Sequence, residues 1–180
     1  ASDDLPPYDE VRLVAEMELM PTWFLERHLG FTPECEDWDV IEPAFRALVN
    51  SASQQTPCFV HRDFHSRNLL LSDDGNPGIL DFQDAVRGPM TYDLVSLLKD
   101  AYISWDEPLI LDWAIRYWEK ACKAALPVDR DFHAFYRDFE WMGVQRHIKV
   151  LGIFARLFHR DGKSGYLKDM PLVMRYLRAA

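Results

Sequence analysis

The sequence predicts a mostly α fold with a small β-hairpin element set into its first half, and three observations lead there. From Tyr92 onward, apolar residues recur at helical spacing in four stretches, 92–104, 107–125, 130–160 and 169–179. Three short apolar runs, Cys58-Phe59-Val60, Asn68-Leu69-Leu70-Leu71 and Gly78-Ile79-Leu80, are too brief for helices and read as buried strands. With 180 residues, 48% of them hydrophobic and 13% aromatic, the chain has the material for one packed core.

Leu5-Pro6-Pro7-Tyr8 reads as an extended linker, because proline fixes its own φ and pushes the preceding residue out of the helical region. The domain proper is then expected over residues 9–180. A helix runs from Asp9 to His28, interrupted or restarted at Pro21, and a second covers Asp37 to Ser53, stopping before Pro57. Ser72-Asp73-Asp74-Gly75-Asn76-Pro77 is dense in turn formers, so the strands on either side of it should form a hairpin. Pro108 suits a first helical turn and Pro127 a stop.

A net charge of -9 speaks against a nucleic-acid partner, which calls for a basic face. Cys35, Cys58 and Cys122 are far apart and odd in number, a pattern of reduced thiols in a cytoplasm and not of a disulfide framework or zinc site. No apolar run approaches the length needed to cross a bilayer, so no membrane association is expected. The chain opens on Ala1-Ser2-Asp3-Asp4 without an initiator Met, as a processed or cut piece of something longer would.

The polar residues of interest lie in the β-element. His61-Arg62-Asp63 is followed by four residues and then Asn68, and Asp81-Phe82 stands thirteen positions beyond Asn68. This is the spacing of a phosphoryl-transfer loop. Such chemistry needs a carboxylate to orient a hydroxyl and take its proton, and oxygen ligands to hold Mg²⁺ on phosphates. A second His-Arg-Asp at 159–161 has Tyr166 where Asn would be required, and reads as a surface turn in a helical stretch. Gly162-Lys163-Ser164 is not a phosphate-binding P-loop, because the glycine required five positions earlier is Leu157.

Gln83 follows Asp81-Phe82 where a protein kinase has Gly, and only residues 83–92 separate Phe82 from Asp93. That leaves no activation segment to carry a peptide substrate, so the acceptor is expected to be a small molecule. The set His61-x-Asp63-x4-Asn68, Leu80-Asp81-Phe82-Gln83-Asp84-Ala85 and Gly88-Pro89-x-x-Tyr92-Asp93-Leu94 resembles the aminoglycoside phosphotransferase/choline kinase superfamily. Within it, Ile79 to Trp105 and Gln145 to Gly152 look most like bacterial anomeric sugar kinases acting on N-acetylmuramate and N-acetylglucosamine in cell-wall recycling. The resemblance implies the C-terminal lobe of a protein-kinase-like fold, with ATP and Mg²⁺ as cofactors. It makes Asp63 the catalytic base, with His61 orienting the loop, and makes Asn68 and Asp81 the Mg²⁺ ligands. Asp93 would tie down the loop through its backbone donors, or be an ordinary carboxylate at a helix N-terminus. His65 would form a structural hydrogen bond.

Arg146, Lys149 and Arg156 share one face of the long C-terminal helix and are either a site for a sugar acid's carboxylate or a solvated, salt-bridged face. Trp23, Trp105, Trp113 and Trp141 could stack on a sugar ring or belong to the core. The stretch before Asp63 holds a single glycine, Gly30, and no candidate for the glycine-containing phosphate loop of the other lobe. The chain is therefore expected to need an N-terminal kinase lobe. Two alternatives keep less of this reading: a lobe acting on an aminoglycoside, choline-like or homoserine-like acceptor, and a non-catalytic binding module derived from a kinase.

Overall fold

Proline decides the start of the structure, a computed structural model that describes residues 5–73 and 77–180. Helix α1 (Glu10–Met17) opens on an Asp9 side chain that accepts from the Arg12 amide at 3.0 Å. Pro21 has no N–H to continue the α-ladder, and the chain resumes as a π-helix, Met20–His28, whose end is marked by the Leu29 N–H donating five residues back to Phe24 at 3.0 Å. The sequence reading of 9–28 as a helix interrupted at Pro21 thus corresponds to two helical pieces of different pitch. Helix α2 (Cys35–Gln54) follows.

The β-element begins with β1 (Pro57–Val60). A 3₁₀ turn at Ser66–Asn68 leads into β2 (Leu69–Leu70), which pairs antiparallel with β3 (Gly78–Ile79) as Leu69↔Ile79 and Leu70↔Gly78. The hairpin read from the sequence is therefore present, although positions 74–76 of its connecting turn lie outside the described residues. A fourth strand, β4 (Val86–Pro89), pairs antiparallel with β1 from Pro57↔Pro89 to Val60↔Val86. Helices α3 (Tyr92–Leu98), α4 (Glu107–Lys123), α5 (Phe132–Asp161) and α6 (Met170–Ala179) complete the chain, with a 3₁₀ segment at Ser164–Asp169 before the last. The second His-Arg-Asp closes α5, and Gly162, at φ 67°, ends that helix with its N–H on the Phe158 carbonyl. Among the described residues no helix is long and apolar enough to cross a membrane.

The chain divides into two compact units. The first joins, of the described residues, 5–8 to 55–73 and 77–140 and holds the β-element, α3 and α4. Its core is built from Val60, Val86, Tyr92, Val95, Ile110 and Phe139. Leu5–Tyr8 runs alongside β4: the Tyr8 amide donates to the Arg87 carbonyl at 2.8 Å, and the Arg87 amide to the Pro6 carbonyl at 2.9 Å. Tyr8 is buried edge-on against Tyr92, and a Cβ on Gly88 would come within 2.8 Å of the Tyr8 Cβ. A buried Gln55 gathers the Thr91 amide and hydroxyl at 3.2 and 2.8 Å and donates to the Asp138 carbonyl at 3.3 Å.

The second unit, residues 9–54 and 141–180, packs Leu13, Met17, Phe45, Leu151, Phe154 and Val173. Gly152 sits in mid-helix despite its cost there because the backbone at Leu19 and Met20 passes over it. A Cβ at Gly152 would lie 2.4 Å from the Leu19 carbonyl carbon.

Candidate active site

Strand β1 carries the chain into the loop His61–Asn68, and the loop is held mainly through its backbone. Asp93, in the first turn of α3, accepts from the His61 amide at 2.7 Å and from the Arg62 amide at 3.1 Å, one bond per carboxylate oxygen. Just past the end of the same helix, the buried Asp100 accepts from the Ser66 amide and the Tyr102 amide, each at 2.9 Å. The first turn of one short helix and a residue just past its end therefore grip the loop at two points. Between those points Arg62 adopts φ 74°, a left-handed conformation that a non-glycine residue holds only when its surroundings enforce it.

Asp63 is half-buried at the bend. Its carbonyl accepts from the His65 amide at 3.0 Å and from the Asn68 side-chain amide at 2.9 Å. Its carboxylate accepts no hydrogen bond from the described residues, so it remains available to a ligand hydroxyl. Asn68 uses its Nδ2 on Asp63, which leaves its Oδ1 as an acceptor. Its backbone carbonyl receives the Leu80 amide at 3.0 Å, and this bond brings the segment bearing Asp81 alongside. Asp81 is exposed and left-handed at φ 68°. One of its oxygens is taken by the Gln83 side-chain amide at 2.7 Å. An amide oxygen and a carboxylate are hard donors that suit Mg²⁺, which keeps waters and takes phosphate oxygens for its remaining positions. No cluster of three His, Cys, Asp or Glu side chains able to hold a metal ion exists among the described residues.

The flanking side chains are positioned by packing. His61 is buried, its ring tilted toward Phe64 at 5.9 Å, and neither ring nitrogen has a hydrogen-bond partner among the described residues. Tyr102 meets the His65 ring edge-on at 5.3 Å and carries the Arg67 guanidinium 3.5 Å from its ring centre. Behind the loop, burial pushes the Cys58 thiol up to about 11, and the Asp93 charge adds to the shift. Burial, with the nearby Cys58 and Asp93, also raises the Tyr117 phenol.

Hydrogen bonds thus join His61 to Asp93 and Asp63 to Asn68, and connect Asn68 to the segment leading to Asp81. Arg146, Lys149 and Arg156 belong to the second unit. Arg146 and Lys149 are buried there, and the Lys149 ammonium is paired with Glu16 at 3.0 Å. Asp100 escaped the sequence reading, and Gln83 was read as part of a motif without a role of its own. Asp100 follows Asp93 by seven residues, two helical turns, and that interval was the one available signal.

Residues 6–136 match the model of the phosphotransferase enzyme family, and the chain belongs to that family. Among curated proteins it is 51% identical over 174 residues to the N-acetylmuramate/N-acetylglucosamine kinase of Neisseria meningitidis serogroup B, covering 97% of this chain and 52% of that protein. It is likewise 51% identical over 176 residues to the protein of that name from Pseudomonas aeruginosa, covering 98% and 52%. For that of Caulobacter vibrioides the identity is 35% over 179 residues, covering 94% and 46%. The chain spans about half the length of the curated relatives it matches.

Proposed function

We propose that this chain is the acceptor-activating lobe of an ATP-dependent sugar kinase that phosphorylates N-acetylmuramate or N-acetylglucosamine. The observation that supports the reading best is the wiring of the loop: Asp93 and the Asn68 amide hold the backbone on both sides of Asp63 while its carboxylate stays open. Asp63 would accept the proton of the sugar hydroxyl at its carboxylate as that oxygen bonds to the γ-phosphorus of ATP and the bond from that phosphorus to its bridging oxygen breaks, the electron pair leaving with ADP. Asn68 Oδ1 and the Asp81 carboxylate would hold Mg²⁺, which when bound supplies charge neutralisation on the ATP phosphates. Asp93 would act by fixing the loop, and Gln83 by fixing the Asp81 carboxylate.

The printed names of the relatives favour an amino-sugar as the acceptor, and the activity would then serve cell-wall recycling in the cytoplasm. Free thiols at Cys35, Cys58 and Cys122 fit a reducing compartment. The grip on the ATP phosphates is assigned to the portion of the relatives' length that this chain does not match. Supporting that division, Leu70, Leu71, Ile79, Leu80 and Phe82 are exposed around Asp81, an apolar surface of the sort a nucleotide base and a further lobe would cover.

The test is a coupled ADP-formation assay with N-acetylmuramate, using the protein extended to the relatives' length. Asp63→Asn should lower kcat by about 10²- to 10⁴-fold with an unchanged melting curve. Near-unchanged turnover would remove Asp63 from the chemistry. Following the product by ³¹P NMR reports which hydroxyl is phosphorylated. The 180-residue chain assayed alone should turn over far more slowly than the extended protein, and equal rates would refute the division of labour.

A further inference from the structure

Helices α3 and α4 face each other across a cleft of about 490 Å³ that the loop chemistry does not use. That volume falls within the range of small-molecule sites. Its floor is Leu94, Leu97 and Leu98, three residues on one face of α3. Its opposite wall is one face of α4, with Trp113 and Tyr117 at (i, i+4) and Arg116 and Lys120 at (i, i+4) beside them. Trp105, from the connection between the helices, closes one end by standing edge-on to Trp113 at 5.2 Å and 83°.

The polar groups around this apolar space are nearly all donors. Indole, guanidinium and ammonium groups donate and do not accept, and Tyr117 is the one lining side chain that can do both. No Asp or Glu is among the described residues that line the cleft. Neither the Trp105 nor the Trp113 indole N–H has a protein acceptor among the described residues, whereas Trp118 donates to the Asp129 carbonyl at 2.8 Å. Arg116 spends its Nε on Asp112 at 2.8 Å, which leaves its terminal nitrogens, while Lys120 is exposed and has no ion-pair partner among the described residues. In a chain of net charge -9, the charged side chains that line this hollow are both cations, one of them, Lys120, without a carboxylate partner among the described residues.

We propose that this cleft is a binding site for an amphiphilic carboxylate, its apolar body on the leucine floor between the two tryptophans and its head group at Lys120 and Arg116. The site is separate from the phosphoryl-transfer residues and does not depend on the reading of them. Decanoate, kept below its micelle concentration, is the probe, with 1-decanol and decyltrimethylammonium as neutral and cationic counterparts. Binding is read by tryptophan fluorescence and by calorimetry. Decanoate should saturate one site, bind at least about tenfold more tightly than either counterpart, and weaken about tenfold in Lys120→Glu. Lys120 is exposed, so its replacement should leave the circular dichroism and melting curve unchanged. Leu97→Trp, which fills the floor of the cleft, should abolish binding. Equal affinity for decanol, or no effect of Lys120→Glu, would overturn the anionic assignment and leave an apolar hollow for another polypeptide to cover. The absence of saturable decanoate binding would overturn the site itself.

Discussion

The two small sheets of the β-element are built from similar strands and differ sharply in how this chain supports them. In the β1·β4 sheet, Val60 and Val86 form a fully buried pair, Tyr8 packs on Gly88, and Asp93 ties the strand's exit to α3. In the β2·β3 sheet the pairing is two residues long, and Leu70 and Ile79 are about half exposed. Asp63 leaves from the first sheet and Asp81 from the second. The proposed base is thus held by the packing of this chain, while the proposed metal carboxylate sits beside side chains that this chain leaves exposed. A catalytic base has to be placed before the acceptor arrives; a metal ligand closes around a cation that brings its own phosphates.

That contrast can be broken most forcefully at Asp93. Asp93→Ala removes two charge-assisted bonds and leaves the His61 and Arg62 amides without acceptors, which should cost about 3 kcal/mol or more in urea denaturation. A loss within error would mean that the loop is held by other groups. Gly88→Ala comes next. A Cβ there meets the Tyr8 side chain at 2.8 Å, so a loss of about 1–3 kcal/mol is expected from overpacking. On the other sheet, Leu71→Ser should change stability by less than about 0.5 kcal/mol, because Leu71 is fully exposed. A large loss at Leu71 would erase the distinction between the two sheets.

The smallest effect is a titration. The thiolate is the reactive form, so Cys58, whose thiol is raised to about 11, should alkylate more slowly than exposed Cys35 at about pH 8 and keep gaining rate toward the higher value. The neutral thiol is favoured in the folded state. Its stabilising contribution is therefore full below the ordinary value of 9.0 and is lost as pH rises through about 11. Equal rates for the two cysteines across that window would contradict the burial of Cys58.

Elements defined by local pattern were legible in the sequence. The hairpin, the long helices and the break at Pro21 follow from periodicity and from what proline does to a backbone. Strand β4 was not legible, because Val86-Arg87-Gly88-Pro89 is composed like a loop and becomes a strand only by pairing with β1, some thirty residues earlier. Helix α3 stops at Leu98 where periodicity suggested 104, since Asp100 turns the chain back to hold Ser66 and Tyr102. Of the site, the spacing of Asp63, Asn68 and Asp81 could be read directly. The two-point grip by Asp93 and Asp100 depends on where α3 lies in space, which spacing does not encode. The basic stripe shows the same limit: its helical face was correctly periodic, but periodicity does not reveal that Lys149 meets Glu16.

The bonds between Pro6, Tyr8 and Arg87 also set a boundary condition on the polypeptide. Pro6 and Tyr8 are fastened to the Arg87 backbone, so a short parallel bridge covers that edge of β4. The Arg62 guanidinium lies 5.6 Å from the ring centre of that same Tyr8. Tyr8 thus touches both the β4 backbone and a side chain of the loop that carries Asp63, so a substitution at Tyr8 would reach strand and loop together.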